Sequence, residues 1–164
     1  MTGMKEDALK IIECFRKDHF KAYLAGGCVR DMLMGLEPQD YDIATDASAD
    51  QIKNLFHKTF ILGAQFPVVI VLINQHQFQI TSFRGVEPWS EQKDTELRDF
   101  TINGLLYDPL QDKLLDYVGG RQDIETKVIR AIGDPVARFR EDRLRLMRAI
   151  RLASRYQFQI EEKT

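Results

Sequence analysis

The sequence predicts a mixed α+β fold, a small sheet with helices packed on it, followed by a helical element. Three observations carry this expectation. Apolar residues recur at helical spacing near the start, at Met4, Ala8, Ile11, Ile12 and Phe15. Two strand-length runs, Pro67 to Asn74 and Gln77 to Arg84, are separated by a short turn and read as a hairpin. Val136 to Tyr156 is the longest helical segment, with Pro135 suitably placed at its first turn. At 164 residues, 44% hydrophobic and 29% charged, the chain is long enough for a core and unlike a disordered segment.

The elements follow in order. Met4 to Lys17 is the first helix. Ala22-Tyr23-Leu24-Ala25 is a short apolar run, consistent with a buried strand. Val29 to Met34 reads as a short helix that Gly35 stops. Asp40-Tyr41-Asp42 reads as strand. Ser48 with Gln51 makes a capping box that opens a helix running to about His57. Glu87 to Glu96 is polar, contains Pro88 and reads as a loop. Leu105 to Tyr107 and Lys113 to Asp116 are weaker strand candidates. No internal repeat or low-complexity tract is present.

Composition narrows the function classes. The longest apolar run, Val68 to Ile73, has strand length, so no membrane span is expected. The N-terminus carries Glu6 and Asp7 and lacks a signal-peptide apolar core. Cys14 and Cys28 form no metal-spaced pair, and a reducing cytoplasm is the simplest setting. Cys28 reads as a small packing residue, with a reactive thiol as the other reading. The net charge of −2 is not that of a general polyanion binder. Its distribution is uneven, with eight arginines against three carboxylates between 130 and 155. Arg145, Arg148, Arg151 and Arg155 are spaced 3, 3 and 4 apart, along one helical stripe. A basic stripe suits phosphates, although a charged helix is more often a solvated face.

Two short motifs carry chemistry. Gly26 and Gly27 lie between the first strand and a short helix, followed by Arg30. Glycine permits close backbone approach, main-chain N–H groups there favour an anion, and an arginine can contact phosphate bidentately. Asp40 and Asp42 would project from one strand face, about 6.5–7 Å apart. Paired hard oxygens of that kind suit Mg²⁺ shared with substrate phosphates. Each motif alone is better read structurally, as a tight turn and as a solvated strand end.

Together they resemble a family. Leu24-Ala25-Gly26-Gly27-Cys28-Val29-Arg30-Asp31 with Asp40-Tyr41-Asp42-Ile43-Ala44-Thr45 resembles the first motif of bacterial-type (class II) CCA-adding enzymes and poly(A) polymerases, within the polymerase-beta-like nucleotidyltransferase superfamily. Arg98-Asp99-Phe100-Thr101-Ile102-Asn103-Gly104 resembles the second motif, and Asp116-Tyr117-Val118-Gly119-Gly120-Arg121-Gln122-Asp123-Ile124 the third. Glu141-Asp142-Arg143-Leu144-Arg145, with Arg148 and Arg151, resembles the fourth. The matches run in family order from about residue 22 to 158.

The resemblance implies a polymerase-beta-like palm head over residues 1–134 and the start of a helical neck over 135–164, with the remaining RNA-binding helical region absent. It implies transfer of CMP or AMP from CTP or ATP to an RNA 3′ end, tRNA foremost, with Mg²⁺. Asp40 and Asp42 would be the catalytic and metal-binding residues. Gly27, Arg30, Arg98 and Asn103 would hold phosphate and ribose, with Asp99 supporting. Asp142 and Arg145 would read the base edge, and Arg148 and Arg151 would contact the nucleotide. Nucleotide binding is expected to be retained and RNA affinity to be weak.

Three positions depart from the family pattern. Gln79 stands where a third acidic residue is usual, five positions before Arg84. Leu97-Arg98 replaces a frequent arginine pair, and Gly85 to Leu97 is shorter than the usual loop. Two other readings stay open: a poly(A) polymerase, and a non-catalytic module that binds nucleotide or RNA.

Overall fold

The computed structural model describes residues 3–63 and 67–164. Helix α1 spans Met4–Lys17 and buries Ala8, Ile11, Ile12 and Phe15 completely. Each such large side chain removed from water contributes about 1.5–3 kcal/mol before entropy is counted. Its Asp7 is fully buried and accepts hydrogen bonds from Lys10, Asn74 and His76, which ties the helix to the tip of the hairpin.

The strands are β1 (Ala22–Ala25), β2 (Ile43–Thr45), β3 (Thr59–Leu62), β4 (Val68–Ile73), β5 (His76–Ser82), β6 (Leu105–Asp108) and β7 (Lys113–Asp116). Among the described residues they form one sheet in the order β3-β4-β5-β2-β1-β6-β7. β2 and β5 run parallel, while the other neighbours are antiparallel. The expected hairpin is β4–β5, closed between Ile73 and His76 with Asn74 at φ 54°.

Alternation along the strands sends side chains to two faces. Leu24, Ile43, Val69, Val71, Phe78, Ile80 and Leu105 join the α1 residues in the main core. Helix α2 (Gly27–Leu33) adds Cys28 and Val29, and α3 (Ala49–Leu55) adds Ile52. Tyr23, Ala25, Ala44, Phe83 and Leu106 form a smaller cluster on the opposite face, under Trp89 and Leu115. The candidate site lies on that second face.

Four expectations need correction. Asp40 to Asp42 precede β2 and do not belong to it, because the last ladder pair with β1 is Leu24–Ile43. The chain is nevertheless held there, since the Ala25 N–H donates to the Asp42 carbonyl at 2.9 Å. Glu91–Glu96 is helix α4, not loop, because the Ser90 side chain caps it by accepting from the Lys93 N–H. The segment after Pro135 is two helices, α6 (Pro135–Glu141) and α7 (Leu144–Tyr156). The break falls at Asp142, which is extended and whose side chain accepts from the Leu144 N–H at 2.9 Å. The α3 helix ends at Leu55, two residues short of His57.

Helix α5 (Gly120–Glu125) and the strand pair β8 (Val128–Ile129) and β9 (Gln159–Ile160) were not foreseen. β9 follows α7 and pairs with β8, while Ala149, Leu152 and Phe158 enter the main core. The C-terminal helix is thus packed on the sheet domain. Among the described residues, no helix is long and apolar enough to cross a membrane.

Candidate active site

Asp40, Tyr41 and Asp42 line a cleft of about 150 Å³ together with Gln77 and Gln79. Tyr41 is buried and joins the main core, which leaves Asp40 exposed and Asp42 half-buried beside it. The alternation expected of a strand therefore survives in the extended segment just before β2. β5 brings Gln79 next to the pair, because its parallel register with β2 sets Ile80 beside Ile43. Burial pushes the Asp42 carboxyl above its ordinary value of 3.8. Arg98 pulls it back, Asp40 adds to the rise, and Arg84 opposes it.

A metal fits this donor set in kind. Two carboxylates and an amide carbonyl are hard oxygen ligands, and Mg²⁺ commonly completes its shell with water and phosphate oxygens. Among the described residues, no cluster of three or more His, Cys, Asp or Glu side chains could enclose an ion alone. Any metal here would depend on the nucleotide as a further ligand.

The glycine turn adjoins this cleft. Gly26 sits at φ 71° and ψ −125°, a conformation that strains any residue with a Cβ. A Cβ there would also lie 3.1 Å from Arg98 Nη1, so the bare backbone leaves room for that guanidinium. Arg98 is held from behind by Asp94 of α4, with Nε at 2.9 Å and Nη2 at 2.7 Å from Oδ2.

Arg30 does not present an open fork to solvent. It is 6% exposed, bonds Asp31 through Nε and Nη2, and gives Nη1 to Asn103 Oδ1 at 2.6 Å. Its guanidinium also stacks over the Tyr156 ring of α7, 4.4 Å from the centroid. The chain of contacts continues through Asn103 Nδ2 to Asp99 Oδ1, and from Arg148 Nη1 to Asp99 Oδ2 at 2.7 Å. Arg30, Asn103, Asp99 and Arg148 are thus one connected row rather than separate phosphate contacts.

The third motif supports this row. Gly120 packs so closely that a Cβ on it would meet the Thr101 carbonyl oxygen at 2.1 Å. Asp116 accepts the N–H groups of Gly119, Gly120 and Arg121, and Asp123 accepts the Thr101 hydroxyl at 2.6 Å. The short 3-10 turn over Thr101–Asn103 is fixed from below by these contacts.

The arginine stripe divides on inspection. Arg145 Nη1 turns back to Glu141 and to the Arg138 carbonyl, both at 3.1 Å. Arg155 lies over Tyr156, and Arg151 is exposed. Asp142 is half-buried at the α6–α7 junction, one turn from Arg145.

Residues 22–130 match the family model described as the poly A polymerase head domain. The chain belongs to the poly(A) polymerase head-domain family. Over 96% of its length the head-domain chain is 39% identical to the CCA-adding enzyme of Bacillus pumilus, and it covers 42% of that protein. It is 35% identical to Poly(A) polymerase I of Salmonella typhi, over 98% of this chain and 40% of that protein. All of it superposes on the Bacillus stearothermophilus CCA-adding enzyme in complex with CTP, with a TM-score of 0.92 and 34% identity, covering 42% of that chain. The head domain thus spans about two fifths of the length of these relatives.

Sequence reasoning missed two side chains of this chain. Asp94 falls in the segment whose polarity reads as a loop, and only its burial on α4 reveals it as the partner of Arg98 and Arg84. Tyr156 carried no signal beyond its place on an amphipathic helix, yet it meets Arg30 across 126 residues of chain. Cys28 is the packing residue expected: it is buried, and burial pushes its thiol up to about 11.

Proposed function

We propose that the protein transfers CMP or AMP from CTP or ATP to the 3′ end of RNA, with tRNA as the first candidate acceptor. The observation that carries this reading is the adjacency of the Asp40–Asp42 cleft to the glycine turn, whose neighbouring Ala25 N–H holds the Asp42 carbonyl, and to Arg98, which borders Gly26 and acts on the Asp42 carboxyl. In this reading residues 1–134 are the catalytic head and 135–164 begin the neck. The RNA 3′-hydroxyl gives its proton to water, its oxygen forms a bond to the α-phosphorus, the bond to the bridging oxygen breaks, and pyrophosphate leaves with that electron pair. Mg²⁺, held by Asp40 and Asp42 with Gln79 as a neutral neighbour, would supply charge neutralisation and activation of the hydroxyl. The half-buried Asp42 also presents a carboxylate that water screens poorly, which strengthens its hold on a cation.

The protein's own groups do the positioning. Gly27 opens α2 and lets the main chain approach the triphosphate, and Arg98 donates to it. Asn103, aligned by Arg30 and Asp99, would donate its second amide N–H to the ribose. Arg30 acts through Asn103, because most of its own donors are already committed. Asp142 would accept from the exocyclic amine that CTP and ATP share, and Arg145 would donate to a ring acceptor. Arg148 and Arg151 extend the positive face toward the nucleotide. Such a site works mainly by orientation and charge stabilisation. Cytoplasmic location accords with two free thiols.

The likeness to Poly(A) polymerase I favours a second reading, addition of a run of AMP to RNA. One experiment separates them. The protein is incubated with Mg²⁺, CTP, ATP and a tRNA ending at the discriminator base, and the products are sequenced. A defined CCA end supports the first reading and a long A tract the second. Absence of extension by a folded protein that also fails to bind Mg²⁺-ATP and Mg²⁺-CTP would remove both.

A further inference from the structure

One buried carboxylate holds two guanidiniums. Asp94 is 0% exposed. Its Oδ1 accepts the Arg84 main-chain N–H at 3.0 Å and Arg84 Nη1 at 3.1 Å. Its Oδ2 accepts Arg98 Nε at 2.9 Å and Nη2 at 2.7 Å. A single arginine would neutralise Asp94, and the second also feels the Asp42 and Asp99 carboxylates. Two guanidiniums on one carboxylate repel each other: burial first, and then Arg98, lower the Arg84 pKa, and an anion bound to both would relieve that repulsion.

Part of each guanidinium fork is uncommitted. Among the described residues, Arg98 Nη1 and Arg84 Nε and Nη2 have no hydrogen-bond partner in the protein. Arg98 Nη1 borders the gap left by Gly26. Arg84 is open to solvent over 43% of its side chain, whereas Arg98 is open over 10%. Both guanidiniums act electrostatically on the Asp42 carboxyl. The arrangement pairs one recessed and one accessible guanidinium fork near the Asp42 carboxyl.

We propose that Arg84 is a second phosphate ligand beside Arg98, and that Asp94 is the positioning residue that aims both at the pyrophosphate portion of a nucleoside triphosphate. This rests on the nucleotidyl-transfer reading for the identity of the substrate, and deepens it by assigning the leaving-group contacts. The same pair would hold inorganic pyrophosphate after transfer. Asp94 touches no substrate and acts only through the two arginines.

Titration calorimetry with Mg²⁺-ATP, Mg²⁺-pyrophosphate and AMP tests the assignment, with thermal unfolding as the check on folding. Arg84→Gln is expected to weaken Mg²⁺-ATP and Mg²⁺-pyrophosphate by about tenfold each and to leave AMP within about twofold. Asp94→Asn should show the same dependence on phosphate number, and Asp94→Glu should recover part of it. A purely structural role for Asp94 would lower all three affinities together, or none. If Asp94→Asn does not fold, Arg84→Gln decides alone, because that side chain is partly open to solvent and its loss leaves Asp94 paired with Arg98. Unchanged pyrophosphate and ATP affinities in Arg84→Gln, or an equal loss for AMP, would overturn the proposal. Wild-type protein that binds pyrophosphate but no nucleotide would sink the nucleotidyl-transfer reading and leave the anion site standing. Wild-type protein that binds neither sinks both.

Discussion

Cys28 shows how far a single residue's surroundings reset its chemistry. Burial holds its thiol at about 11, against an ordinary 9.0. Alkylation of the native protein at pH 8 should therefore label half-buried Cys14 and spare Cys28, as peptide mapping would read. The pH dependence follows in sign. The folded pKa lies above the unfolded one, so the unfolded chain loses its proton first, and stability falls as pH rises from about 9 to about 11. The full loss is about 3 kcal/mol, and Cys28→Ala should flatten it in denaturant titrations across that range. Gly26 is the other residue-scale test. Gly26→Ala should cost about 1–2 kcal/mol of stability through its left-handed φ. It should also displace Arg98 and lower affinity for Mg²⁺-ATP.

At the scale of elements, the motifs work through the segments that carry them. The cap on α4 matters beyond that helix, because α4 carries Asp94. Ser90→Ala should reduce stability by about 1 kcal/mol and weaken Mg²⁺-ATP binding with it. The third motif exists to let α5 meet the Thr101–Asn103 turn. Gly120→Ala forces a Cβ onto the Thr101 carbonyl and should cost about 1–3 kcal/mol, read by thermal unfolding. β5 carries Gln79 to the carboxylate pair, so Gln79→Asp tests that neighbourhood. Its expected outcome is a several-fold gain in Mg²⁺ affinity, since a third negative charge joins the cleft. An unchanged affinity would remove Gln79 from the metal's surroundings.

For the whole molecule, the row from Tyr156 through Arg30, Asn103 and Asp99 to Arg148 joins α7 to the sheet domain at two points. Tyr156 also donates to Asp31 at 2.9 Å, so its hydroxyl bridges both members of the buried pair. Tyr156→Phe should destabilise the protein by about 1–2 kcal/mol. Hydrogen exchange should accelerate in α7 and in α2 together, because one contact serves both. Faster exchange in α7 alone would show that the tether is not shared.

How much was legible depended on the range of the interaction. The helix at Met4–Lys17, the capping box at Ser48, the hairpin and the four motifs rest on neighbours close in sequence, whose periodicity and turn chemistry show in the chain itself. The same reasoning singled out Gly26, Asp40 and Asp42, whereas Gln79 stood out only against the family pattern. β3 escaped because Phe60, Ile61 and Leu62 are all exposed, so pairing with β4 makes it a strand and no alternation announces it. Asp94 and Tyr156 escaped for a related reason. The sequence by itself determined the elements that local periodicity and capping announce, the chemistry of the motifs and their order. Only the tertiary structure decided which charges pair, because that depends on burial and on contacts across dozens of residues that no local pattern encodes.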